Sequence, residues 1–128
     1  MIKVKLSDVV NAIEGLNTIM SQEIKGSIAF RVSRLRREIN KELETFDEQR
    51  SKLIEKYALR DENGQYVTMD DGNSIKLNPD TIKECDEEFN NLLNLEVEIN
   101  ADKLKMSDAD AFNISPKQMN FLIPFFEE

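Results

Sequence analysis

The sequence predicts a mainly α fold: a long α-hairpin of three main helices, a short two-stranded β pair and a short C-terminal helix. Three observations carry this. Apolar residues recur at steps of three and four through most of the first 60 positions. Two short stretches, 2–6 and 95–99, instead alternate apolar and charged side chains. The turn-forming residues are concentrated in one block, 60–78. With 128 residues the chain has the length of one ordinary domain, and 1–128 is read as such.

Ile-Lys-Val-Lys-Leu at 2–6 has period 2 and reads as a half-buried strand. Ser7 and Asp8 follow as candidate caps for a helix over 8–20, whose face is Val9, Val10, Ile13, Leu16, Ile19 and Met20. From about Gln22 to Leu59 the positions Ile28, Val32, Leu35, Ile39, Leu43, Phe46, Leu53 and Tyr57 mark a long amphipathic helix. About 35 helical residues would span ~50 Å, against an expected radius of gyration of ~14 Å for a compact domain of this size. Either this helix breaks near Gly26 or it projects as one arm of an α-hairpin. Asn63-Gly64 and Asp70-Asp71-Gly72-Asn73 are turn sequences, so 60–78 is a turn-rich loop or a small β-hairpin pairing 65–69 with 74–77.

Asn78-Pro79 opens a helix over 79–93, with Ile82, Cys85, Phe89, Leu92 and Leu93 as its apolar face. Leu95, Val97 and Ile99 alternate with Glu96 and Glu98 as a second strand, whose acids suit Lys3 and Lys5 of the first; the two strands are expected to pair, parallel or antiparallel. Ser115-Pro116-Lys117-Gln118 combines a capping box with a proline at the first helical position. Four of the nine aromatic residues lie in 112–126, which predicts a C-terminal helix docked on the core and ended or kinked by Pro124.

The opening KVKLSDVVNAIEGLN, the middle LETFDEQRSKLIEKYALRDENG, then EEFNNLLNLEVEI and the closing ISPKQMNFLIPFFEE together resemble a group of small proteins from tailed bacteriophages and prophages of Gram-positive bacteria. That group has no known function. The resemblance runs in the same order over most of the chain. It implies a phage-encoded, non-secreted protein acting in the cytoplasm of the infected or lysogenic host, or in the virion. It supplies no catalytic residues.

Composition excludes several chemistries. There is no histidine, so no histidine-based triad, general base or metal site. One cysteine, Cys85, cannot form an intrachain disulfide and lies on an apolar stripe, where a buried thiol is expected rather than a nucleophile. The four glycines are isolated, so there is no phosphate loop and no dinucleotide fingerprint; no cofactor is expected. DENG and DDGN do not fit the calcium-loop spacing. The clustered Asp86, Glu87 and Glu88, and Asp108 with Asp110, sit in polar patterns where carboxyls keep ordinary acidity. No apolar run approaches the ~20 residues of a membrane span, and MIKVKLSDVV lacks the features of a secretory leader.

The net charge is −8, with +3 in residues 1–60 and −11 in residues 61–128. Arg31, Arg34, Arg36 and Arg37 form a basic patch, with Lys41 beyond. Direct nucleic-acid contact is disfavoured, because the whole chain is acidic and no aromatics interleave with the bases. The reading favoured is a non-enzymatic protein that works by protein–protein contact, as an accessory of virion or tail assembly or as a helper in phage gene expression. Its partner is a second copy, another phage protein or a host protein. The expected contact residues are Arg31, Arg34, Arg37 and Lys41 as polar groups and Phe46 and Tyr57 as apolar ones. A homo-oligomer would follow if the near-heptad stripe Val32–Leu35–Ile39–Leu43–Phe46 paired with itself. The alternative is an acidic inhibitor of a host nucleic-acid enzyme or defence system, its carboxylates imitating phosphates.

Overall fold

A computed structural model describes every residue except Asp71, Asn73 and Glu128. The element order is β1 (Ile2–Lys5), α1 (Leu6–Met20), α2 (Gly26–Tyr57), α3 (Ile82–Leu93), β2 (Glu96–Ile99) and α4 (Pro116–Leu122), with 3-10 turns at Pro79–Thr81, Met106–Ala111 and Ile123–Phe125. The fold is mainly α, with one long helix, an antiparallel strand pair and a short C-terminal helix. The chain divides into two compact units, one of residues 1–44 with 94–128, the other of residues 45–93.

In the first unit, β1 and β2 pair antiparallel, Ile2 opposite Ile99, Lys3 opposite Glu98, Val4 opposite Val97 and Lys5 opposite Glu96. The period-2 pattern sends Ile2 and Val4 inward and both lysines to the acidic outer side. Lys3 and Glu98 lie 3.9 Å apart and are well exposed, so the pair fixes register more than it adds stability. The strand runs straight into α1, whose first N–H, on Leu6, donates to the Leu95 carbonyl. This moves the helix start ahead of the expected Ser7 and Asp8. Asp8 is the third helical residue, and its carboxylate accepts from the Lys5 N–H at 3.1 Å.

Residues 22–25 are not helical, and Gln22 fixes that connection. Its side-chain amide donates to the Asn113 carbonyl and accepts from the Asn113 N–H. The long helix therefore starts at Gly26 and runs unbroken to Tyr57, 32 residues or about 48 Å. Val32, Leu35 and Ile39 on its inner face are fully buried with Val9, Leu16 and Ile19 of α1 in the first unit.

α4 carries the expected capping box: Ser115 Oγ accepts from the Gln118 N–H, and Gln118 Oε1 from the Ser115 N–H. It packs on α1 at Gly15, where a Cβ would stand 3.2 Å from Leu122 Cδ1 and 3.5 Å from Gln118 Cβ. A branched side chain here has nowhere to go without parting the helices. Gly15→Val is expected to cost about 1–3 kcal/mol by overpacking, read from the urea unfolding midpoint. Pro124 ends α4, as expected. The tail is then tied to Leu104, whose N–H donates to the Phe125 carbonyl and whose carbonyl accepts from the Glu127 N–H. Phe112, Phe125 and Phe126 are buried.

The second unit contains the end of α2, the connection 58–78, the Pro79–Thr81 turn and α3. Phe46 and Phe89 meet edge to face, centroids 5.9 Å apart. Thr68 bridges Ile75 antiparallel, and further bridges join Ala58 to Leu77 and Arg60 to Tyr66. Three backbone bonds close a triangle: Leu59 donates to Lys76, Lys76 to Val67, and Val67 to Leu59. Gly64 and Gly72 turn the chain with φ of +78° and +74°, values that suit glycine. Of the turn sequence 70–73, Asp71 and Asn73 lie outside the described residues. Asn78 Oδ1 caps the Asp80 N–H, and Pro79 begins a 3-10 turn before α3 proper.

Candidate functional site

The register of α2 decides which of the predicted contact residues face outward. With Val32, Leu35 and Ile39 facing the core, a turn of 3.6 residues places Phe30, Arg34, Arg37 and Lys41 in one row on the opposite side. All four are exposed, and Phe30 is 67% exposed, an unusual degree for phenylalanine. Among the described residues Arg34 and Arg37 make no hydrogen bond or ion pair. Lys41 Nζ lies 2.9 Å from Glu38 Oε1. Two shallow grooves flank the row. One, of about 500 Å³, is lined by Met20, Ser33, Arg36, Arg37, Asn40, Lys41 and Glu44. The other, of about 330 Å³, is lined by Phe30, Ser33, Arg34, Arg37 and Glu38. Ser33 and Arg37 border both. Arg36 is turned aside, its Nε donating to Asn17 Oδ1 at 2.7 Å.

Three of the residues expected on this surface are engaged within the chain. Arg31 Nη2 lies 2.7 Å from Asp108 Oδ1 and its Nε 3.3 Å from Oδ2, a two-pronged grip on a carboxylate that is only 4% exposed. Asp108 Oδ2 also accepts from the Lys105 N–H. Burial pushes the Asp108 carboxyl up, but the Arg31 guanidinium and the Lys105 N–H outweigh it and hold the group below its ordinary value. Phe46 and Tyr57 are 7% and 9% exposed and belong to the interior of the second unit. The Lys56 ammonium sits 2.7 Å from Glu88 Oε1, and that hydrogen bond holds the Lys56 pKa above and the Glu88 pKa below their ordinary values.

Phe30 escapes the sequence reading because it lies off the apolar stripe. Its signal is that same misfit: an aromatic residue on the polar side of an amphipathic helix. The acids of α3 form a second charged row. Glu84 and Glu87 lie on its outer side with Asp80 one turn before, all exposed. Among the described residues none of the three carboxylates is ion-paired.

Cys85 is buried, and burial with the nearby Asp86 and Glu88 charges pushes its thiol up, which makes the thiolate scarce. In the DENG turn, Asp61 Oδ1 is occupied by the N–H groups of Asn63 and Gln65. Among the described residues no three histidine, cysteine, aspartate or glutamate side chains converge to hold a metal ion. Nor is any helix there long and apolar enough to cross a membrane. Compared with family models, curated proteins and solved structures, the chain finds no match in any of the three.

Proposed function

We propose that this is a non-enzymatic, phage-encoded protein that acts in the host cytoplasm or the virion through protein–protein contact, as an assembly accessory or a helper in phage gene expression. The observation that carries the reading is the outer row of α2: an exposed aromatic beside two exposed arginines that have no ion-pair partner among the described residues. Arginine and aromatic residues are the side chains that most often anchor protein interfaces, because each combines a large apolar surface with directed polar groups. The phage assignment rests on the ordered sequence resemblance. Arg34→Glu/Arg37→Glu tests the surface. The double variant is expected to lose its partner at least tenfold in co-purification from phage-infected cells, with an unchanged urea midpoint because neither side chain packs. Full retention of the partner would overturn the reading.

The exposed acidic row of α3 favours a second reading, an inhibitor whose carboxylates occupy the phosphate track of a nucleic-acid enzyme. Binding that DNA competes away, that falls steeply with salt and that is lost in Glu84→Gln/Glu87→Gln would select this reading over the first.

A further inference from the structure

Two exposed charged rows match each other in sign and spacing. On α2 the bases stand at 34, 37 and 41, steps of three and four. On the turn and helix of the second unit the acids stand at 87, 84 and 80, the same steps in the reverse direction. Laid antiparallel, Arg34 meets Glu87, Arg37 meets Glu84 and Lys41 meets Asp80. Phe30, one turn beyond Arg34, comes against Asn91, which is exposed one turn beyond Glu87. Lys83, the one base of α3, is carried beside the row toward Ser33 and Asn40 and meets no cation of the row. We propose that the protein docked on the outer face of α2 is a second copy of this chain, seated by the acidic outer face of its α3. The inference rests on the docking reading above and names the partner.

Charge matching explains why the pairing needs a second copy. Among the described residues of their own chain, neither Arg34 and Arg37 nor Glu84 and Glu87 have an ion-pair partner. Each copy offers both rows, so contacts repeat around a reciprocal dimer or along a series of chains. Exposed ion pairs are screened by salt, so the association is weak and salt-sensitive: the Debye length falls from about 10 Å at ~0.1 M salt to about 3 Å at ~1 M.

Sedimentation velocity on four samples tests this: wild type, Arg34→Glu/Arg37→Glu, Glu84→Lys/Glu87→Lys, and an equimolar mixture of the two variants. Wild type should associate at ~0.1 M salt and revert to the 14.8 kDa monomer at ~1 M. Each variant alone should stay monomeric, since two of its three facing pairs then carry like charges, while circular dichroism shows the helices intact. The mixture should associate again, because the reversed rows complement each other. A wild type that is monomeric at ~0.1 M salt, single variants that associate as wild type does, or a mixture that stays monomeric would each overturn the proposal. A monomeric wild type whose double arginine variant still loses its partner in infected cells would remove the second copy and leave the docking surface. Loss of neither property would remove both.

Discussion

Phe125→Ala is expected to remove about 3–5 kcal/mol from the first unit, the largest effect of any single truncation considered. Phe125 is fully buried. Its loss removes the transfer free energy of a whole ring and leaves a void that close-packed neighbours fill only in part. The backbone offers no relief, because the Phe125 carbonyl holds the Leu104 N–H at 2.8 Å and fixes the ring's position. Against a total stability of 5–15 kcal/mol for a native protein, such a loss leaves little margin. Ile123, two residues earlier and 54% exposed, is the control. Ile123→Ala is expected to change stability by less than about 0.5 kcal/mol. Urea unfolding followed by far-ultraviolet circular dichroism measures both. Equal small effects would mean that the tail is not part of the core.

Asp108→Ala is expected to cost about 2–3 kcal/mol. Removing the carboxylate deprives the Arg31 guanidinium of both its contacts and leaves the Lys105 N–H without its acceptor. Breaking a buried charged pair costs 3–5 kcal/mol when both groups are sealed from water. Arg31 is about one-third exposed, and water recovers part of the loss. The pair also has a pH signature. Its carboxyl is depressed in the folded state, so its contribution is present above the unfolded value of about 4. It is lost as pH falls through the lower folded value. The stability difference between wild type and Asp108→Asn should therefore be constant near neutrality and shrink below about pH 4. A difference that persists unchanged at pH 2 would mean that the interaction is not with the ionised carboxylate.

Periodicity made most of the architecture legible. The strand pair could be read because Ile2 and Val4 on one strand and Val97 and Ile99 on the other leave lysines facing glutamates. The α4 capping box could be read because Ser115 and Gln118 have only one use for their spacing. Helix starts were harder. α1 begins before Ser7 because the strand ladder hands its last bond from Leu95 to Leu6, a tertiary contact with no local signature. The start of α2 depends on Gln22 gripping Asn113, 91 residues away. The candidate surface was legible in part. Arg34, Arg37 and Lys41 follow from helical spacing, but Arg31 lies three residues from Arg34 and turns inward because Asp108 is there to receive it. Phe46 and Tyr57 continue the apolar stripe, and such a stripe reads alike whether a partner or the chain itself covers it. Phe89 is what covers Phe46.

The central claim is that the outer face of α2 is a protein-docking surface. Placing a photo-crosslinking amino acid at Arg34, and separately at the exposed Lys117 of α4, in cells producing the protein tests it most directly. The account predicts a discrete adduct from position 34, at twice the chain mass, that position 117 does not give. No adduct at 34, or the same set of adducts from both positions, would contradict it.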